Sequence, residues 1–234
     1  HPDSAKHALL RAISGGPVYC SDRVGETDPQ VLRPLCYADG RLLMMDRAAK
    51  PTADCIFTNP ARSGYLKLQN TAPYGQQKGG GIAVYNLSDE EVSCTFSPSE
   101  INGITACDRY LVYDYFLEEV RFAGREEPVG CTIEGGGYRW YVILPVTGKS
   151  TCLGLADKYA GFTAAESIHD TGDSQTVILH ESGRLAWVSE TIPKKVTVNG
   201  TDVTDRVQRN GMLYVLTLEE ESGSLCCLCI NDQV

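Results

Sequence analysis

From Ala38-Asp39-Gly40 to the C-terminus, short apolar runs alternate with turn signals, and this punctuation constrains the fold more than any other feature. Runs rich in branched and aromatic residues, bounded by Gly, Pro, Asn and Asp, read as strands. They fall at residues 41–45, 54–57, 65–68, 82–87, 92–96, 110–117, 129–134 and 138–146, and again at 152–156, 163–169, 177–180, 184–189, 196–198, 213–218 and 225–230. Asn199-Gly200, Asn210-Gly211 and Ser182-Gly183 carry hairpin chemistry, since Asn-Gly supplies the positive φ values of a tight two-residue turn. Spacings of about ten residues with such turns predict an antiparallel β-sandwich over residues 46–234. Gly79-Gly80-Gly81 and Gly135-Gly136-Gly137 open no helix and lack the Gly-Lys-Ser/Thr ending of a phosphate cradle, so both read as connections. Trp140, Trp187 and most tyrosines alternate with apolar neighbours and read as core.

The opening residues follow a different pattern. Ala5, Ala8, Leu9, Ala12 and Ile13 recur at steps of three and four, which predicts a helix capped by Asp3 or Ser4. Ser14-Gly15-Gly16 stops it, because glycine takes the left-handed C-cap without steric cost. Pro17-Val18-Tyr19-Cys20 reads as a short strand with Ser21 and Asp22 at its C-terminal end. Thr27 or Asp28 then caps a second helix with Pro29 in its first turn, and Pro34 limits that helix. Helix, strand and helix make a single α/β unit over residues 1–45, and one parallel strand cannot build a sheet. The rest of such a sheet is expected elsewhere in a longer chain. The first residue is His rather than Met, which fits a fragment or a processed chain.

Composition narrows the chemistry. Twenty-one basic against 30 acidic residues give a net charge of -9, which argues against nucleic acid and anionic lipid and suits a neutral ligand such as a sugar. No apolar run approaches the about 20 residues of a membrane-spanning helix, and the first residues lack the apolar core of a signal peptide. Of ten cysteines, only Cys226, Cys227 and Cys229 cluster, inside the apolar run 225–230. They lack the spaced pairs of a zinc site, read as small buried hydrophobes, and as unpaired thiols suit a reducing cytoplasm. His1, His7, His169 and His180 form no ligand pair, so no metal and no cofactor are expected. Asn86-Leu87-Ser88 and Asn199-Gly200-Thr201 match the glycosylation pattern, a frequent chance match. The candidate site is Ser21-Asp22-Arg23. At the C-terminal end of a barrel strand such residues face the substrate: Asp22 accepts from hydroxyls, Ser21 donates or accepts, and Arg23 clamps. Ser and Asp are also favoured in caps and turns, so the structural reading stands beside the functional one.

Several stretches resemble a known family. His1, Pro2, His7, Arg11, Ala12, Gly15, Gly16, Pro17, Tyr19, Ser21, Asp22 and Gly25 meet a long motif of the raffinose synthase and seed-imbibition-protein group, relatives of alkaline α-galactosidases. The likeness continues in Pro51, Asp54, Cys55 and Phe57, in Tyr65-Leu66-Lys67-Leu68 with Asn70, and in Gly81 with Val84-Tyr85-Asn86. It thins beyond about residue 100. The resemblance implies a (β/α)8 catalytic barrel followed by an antiparallel β-sandwich. It also implies retaining chemistry on α-galactosides or related oligosaccharides, with two carboxylates about 5–5.5 Å apart. His1 matches a position after both, so no catalytic residue is expected in this chain, and the rest of its own barrel is its expected partner. Ser21 and Asp22 match the end of the eighth strand, where a substrate-binding role is implied; Arg23 stands where plant members commonly have Lys. The other expectation, of a different class, is a non-catalytic sandwich that stabilises the barrel or holds a glycan.

Overall fold

The computed structural model describes residues 3–219 and 225–231. His1 and Pro2 of the family-like motif lie outside these residues. The chain is mainly β and clusters into two compact units. One comprises residues 1–32, 44–72 and 78–145; the other comprises 33–43, 73–77 and 146–234.

The first unit holds four helices, α1 (Ser4–Ser14), α2 (Pro29–Leu32), α3 (Ala53–Phe57) and α4 (Pro60–Ser63). Its strands are β1 (Lys50–Pro51), β2 (Tyr65–Tyr74), β3 (Gln77–Asn86), β4 (Val92–Phe96), β5 (Arg109–Asp114), β6 (Glu119–Gly124), β7 (Val129–Ile133) and β8 (Tyr138–Pro145). A six-stranded sheet runs in the order β1-β2-β3-β8-β5-β6, and β4 pairs with β7. Alternation sets the packing, since successive strand residues face opposite sides. Ile82, Val84, Tyr110, Val112, Tyr141 and Ile143 face one way and form a core with Phe96, Val129, Cys131 and Ile133 of the β4–β7 pair. The intervening Ala83, Leu111, Trp140 and Val142 are buried as well, so the centre of the sheet is covered on both faces.

Gly79-Gly80-Gly81 does not form a connection; it is part of β3. The reason is a close approach across the sheet. A Cβ on Gly81 would stand 2.1 Å from the Trp140 ring, and one on Gly80 would stand 2.7 Å from Asn70 O. These glycines make room for an indole and a neighbouring strand. Gly135-Gly136-Gly137 is the turn between β7 and β8, as its composition predicts. Residues 54–57 form a helix rather than a strand. Thr52 is extended at φ -66°, its carbonyl accepts from Cys55 N and Ile56 N, and the turn buries only Cys55. Residues 41–45 form no strand; one isolated bridge joins Cys36 to Leu42. The edge strand β6 escapes the pattern because Glu119 and Arg121 dilute its apolar alternation.

In the second unit, β9 (Ser150–Leu155), β10 (Ala165–Asp170), β11 (Ser174–Leu179), β12 (Arg184–Ser189), β13 (Lys195–Val198), β14 (Thr201–Asp202), β15 (Gln208–Asn210), β16 (Leu213–Thr217) and β17 (Cys226–Asn231) form two sheets. Their orders are β10-β11-β17-β13-β14 and β15-β16-β12-β9. The sheets form a sandwich, and Gln175 Nε2 on β11 donates to Ser150 O on β9. Asn199 (φ 50°) and Gly200 (φ 80°) make the expected tight turn between β13 and β14. Gly211 (φ 61°) turns β15 into β16. Ser182-Gly183 makes no hairpin; it carries the chain from β11 in one sheet to β12 in the other. Cys226 lies in the core beside Leu228 and Ile230, whereas Cys227 and Cys229 face the other way and are half-buried. Period-two geometry sorts the three thiols, where the apolar run alone treats them as equal. Trp140 and Trp187 are both fully buried, and Trp187 stacks on its cross-strand partner Tyr214 at 5.8 Å.

Candidate functional site

The Ser21-Asp22-Arg23 loop starts from a fixed point. Leu9 and Ile13 of α1 are fully buried with Ala8 and Ala12 beside them. Gly15 ends the helix in the left-handed region at φ 65°, and a Cβ there would stand 2.1 Å from Arg47 O. Conformation and space both require glycine at this position. Asn70 Nδ2 donates to Ile13 O at 2.7 Å and to Arg47 O at 2.6 Å, pinning the helix end and the 44–49 segment to β2. Ser14 Oγ accepts from Gly16 N at 3.1 Å.

Beyond Gly16, Pro17 and residues 19–26 are exposed. Residues 17–20 form no strand, which corrects the sequence expectation. A parallel strand needs a ladder partner for its N–H and C=O groups, and among the described residues none is alongside. The Arg11 guanidinium lies over the Tyr19 ring at 5.2 Å. A turn at Val24-Gly25 (Gly25 φ 83°) closes with Glu26 N donating to Arg23 O at 2.9 Å. Asp28 Oδ1 accepts from Gln30 N at 2.9 Å and caps α2, as its position before Pro29 predicts. Ser21, Asp22 and Arg23 lie between these two anchors, all exposed. Among the described residues their side chains have no hydrogen-bond or ion-pair partner. Asp22 offers a free carboxylate, Ser21 a hydroxyl and Arg23 a guanidinium, a set able to bind sugar hydroxyls.

Asn70, Asn86, Lys67 and Asp54 of the family-like motifs are engaged in the fold. Asn86 is fully buried; its Nδ2 donates to Glu90 O, Ile133 O and Glu134 O at 2.7–3.0 Å, and its Oδ1 accepts from Ser88 N. An asparagine so placed is no glycosylation acceptor. Lys67 is buried with its Nζ on Thr95 O (2.7 Å), Glu100 (2.8 Å) and Asp54 (3.0 Å). Burial alone lowers the Lys67 pKa, but Glu100 and Asp54 outweigh it and hold it above the ordinary lysine value. Burial likewise raises the Asp54 carboxyl, and hydrogen bonds from Thr52 and Lys67 bring it below its usual range.

One feature of the first unit has no sequence signal: a cavity of about 310 Å³ where the core between the six-stranded sheet and β4–β7 opens to solvent. Asp114 lies on β5 and Arg139 and Tyr141 lie on β8, and strand register brings the two sides together.

Residues 1–91 match the model of the family described as raffinose synthase or seed imbibition protein Sip1. A galactinol–sucrose galactosyltransferase of Oryza sativa subsp. japonica is 31% identical over 86% of this chain and 30% of its own length. A stachyose synthase of Pisum sativum is 26% identical over 93% of the chain and 29% of its length. The chain thus spans less than a third of the length of these relatives. Among solved structures, α-galactosidase I from Mortierella vinacea aligns with 62% of this chain and 36% of that chain, at 9% identity and a TM-score of 0.43. The chain belongs to the raffinose synthase and seed imbibition protein family.

Proposed function

We propose that this chain is the C-terminal part of a carbohydrate-active enzyme that hydrolyses or transfers α-galactosyl groups by a retaining two-carboxylate mechanism. In this reading residues 1–45 are the last unit of a (β/α)8 barrel and residues 46–234 its β-sandwich. The carboxylates belong to earlier barrel strands, and the chain alone is inactive. Ser21, Asp22 and Arg23 line the substrate site as one wall. The working compartment is a reducing cytoplasm, which suits a chain with ten cysteines, four of them buried as small core residues.

The observation that carries the reading is a contrast within one motif set. Asn70, Asn86, Lys67 and Asp54 are all committed to bonds inside the unit. Ser21, Asp22 and Arg23 are held out into solvent from a pinned helix end. Exposed polar groups on a loop with rigid anchors are where binding residues concentrate. The relatives' names point to galactinol and sucrose as substrates of those proteins.

The test pairs two measurements. The purified 234-residue chain is expected to give no turnover of an aryl α-galactoside. In the protein extended to include its preceding barrel, Asp22→Ala is expected to lower kcat/KM about tenfold, the worth of one hydrogen bond to a charged group. Turnover by the chain alone, or unchanged kinetics in the variant, would refute the corresponding part of the proposal.

A further inference from the structure

We propose that the cavity at the open end of the first unit's core binds a neutral sugar ring, in a site separate from the Ser21-Asp22-Arg23 loop. None of the loop's residues lines it. The site is built by register. Glu119 pairs with Asp114 across β6 and β5, and Asp114 pairs with Tyr141 across β5 and β8, so the three side chains share one row on one face. In a neighbouring row Arg121 pairs with Val112, and Arg139 precedes Tyr141 by two residues on the same face of β8.

The polar groups are held in place by the fold: Arg139 Nε stands 4.0 Å from Asp114 Oδ2, and Tyr141 hydrogen-bonds with Asp114 and Cys131. Asp114 is buried, and its Oδ1 accepts from Phe116 N at 3.0 Å and Leu117 N at 3.1 Å. Arg121 Nη2 donates to Gly130 O at 2.9 Å, and Arg139 Nη1 donates to Tyr138 O at 3.2 Å. A guanidinium has five N–H donors, so each retains several for a ligand. Burial first, then hydrogen bonds with Cys131 and Asp114, raise the Tyr141 hydroxyl well above its ordinary range; it is engaged inside the fold, and the donors left to a ligand are those of the two guanidinium groups.

Charge balance selects the ligand class. Asp114 and Glu119 offset Arg121 and Arg139, so the cavity favours neither an anion nor a cation. Donors and acceptors side by side match the vicinal hydroxyls of a saccharide, and Val112 and Leu117 offer an apolar wall to its C–H face. A volume of about 310 Å³ lies at the lower end of the about 300–1,000 Å³ usual for small-ligand sites. The inference is of binding rather than catalysis, because Asp114 is engaged by two backbone N–H groups.

Saturation-transfer NMR on the 234-residue chain with methyl α-D-galactopyranoside and sucrose tests this. At least one probe is expected to give a saturable signal. That signal should fall at least fivefold in Glu119→Gln/Arg121→Ala, two exposed positions on an edge strand, and should persist in Asp22→Ala. Glu119→Gln alone, which preserves shape, is the second variant if the double variant alters the thermal melt. Absence of a saturable signal with both probes, a signal undiminished by either variant, or displacement by inorganic phosphate overturns the proposal. Loss of Asp22 function with this signal intact would bear only on the loop.

Discussion

Two sets of polar residues in the first unit differ in what they contact, though both belong to the stretches that resemble the family. Lys67, Asn70 and Asn86 are buried and each makes two or more hydrogen bonds inside the unit. Ser21, Asp22 and Arg23 are exposed and make none with their side chains among the described residues. A buried polar group must be satisfied internally or it costs the fold its full desolvation penalty. An exposed one is satisfied by water and remains available to a ligand. Motif membership therefore does not separate scaffold from site, whereas burial and bonding do.

The contrast breaks if the clamps prove dispensable. Lys67→Ala strands Glu100 and Asp54 beside a void and is expected to cost about 3 kcal/mol, the low end for breaking a buried pair because both partners are partly exposed. Urea denaturation of the 234-residue chain measures it. Gly81→Ala forces a methyl group against the buried Trp140 ring and should cost about 2–3 kcal/mol, read as a lower midpoint with the slope unchanged. Asn86→Ala leaves three carbonyls without their shared donor, for about 2 kcal/mol. Asp22→Ala is expected to move stability by less than about 0.5 kcal/mol while altering the kinetics of the barrel-containing protein. A large destabilisation would make Asp22 a scaffold residue and erase the comparison.

Acid sharpens it. Asp54 has a folded-state pKa below the ordinary unfolded value of 3.8, so its contribution is present above that value and is lost as pH falls through the lower, folded value. Lys67 is raised, so its contribution is complete below the unfolded value of 10.5 and fades as pH climbs past it. Stability measured against pH should fall at both ends, and the acid-side loss should shrink in Asp54→Asn.

Much of this architecture is legible in the residues. Asn199-Gly200 and Gly135-Gly136-Gly137 mark turns because few residue types tolerate positive φ, and α1 shows in its three-and-four spacing. Three of the misreadings depend on strand neighbours rather than on local sequence. Gly80 and Gly81 signal a loop locally, yet they sit in a strand with Asn70 of the neighbouring strand and the sequence-distant Trp140 packed against them. Ser182-Gly183 has hairpin chemistry, but the strands it joins lie in different sheets. Residues 17–20 have strand character without a ladder partner among the described residues.

Local sequence alone thus determined the β character, the helix at the start, most of the turns and the family, since each depends on backbone preferences or on contiguous motifs. Tertiary structure alone decided which motif residues are clamps and which are free, and it alone assembled Asp114, Arg139 and Tyr141 around one cavity. The physical reason is that hydrogen-bond satisfaction and burial are properties of pairs distant along the chain. Register and packing set them, and no single stretch of sequence encodes them.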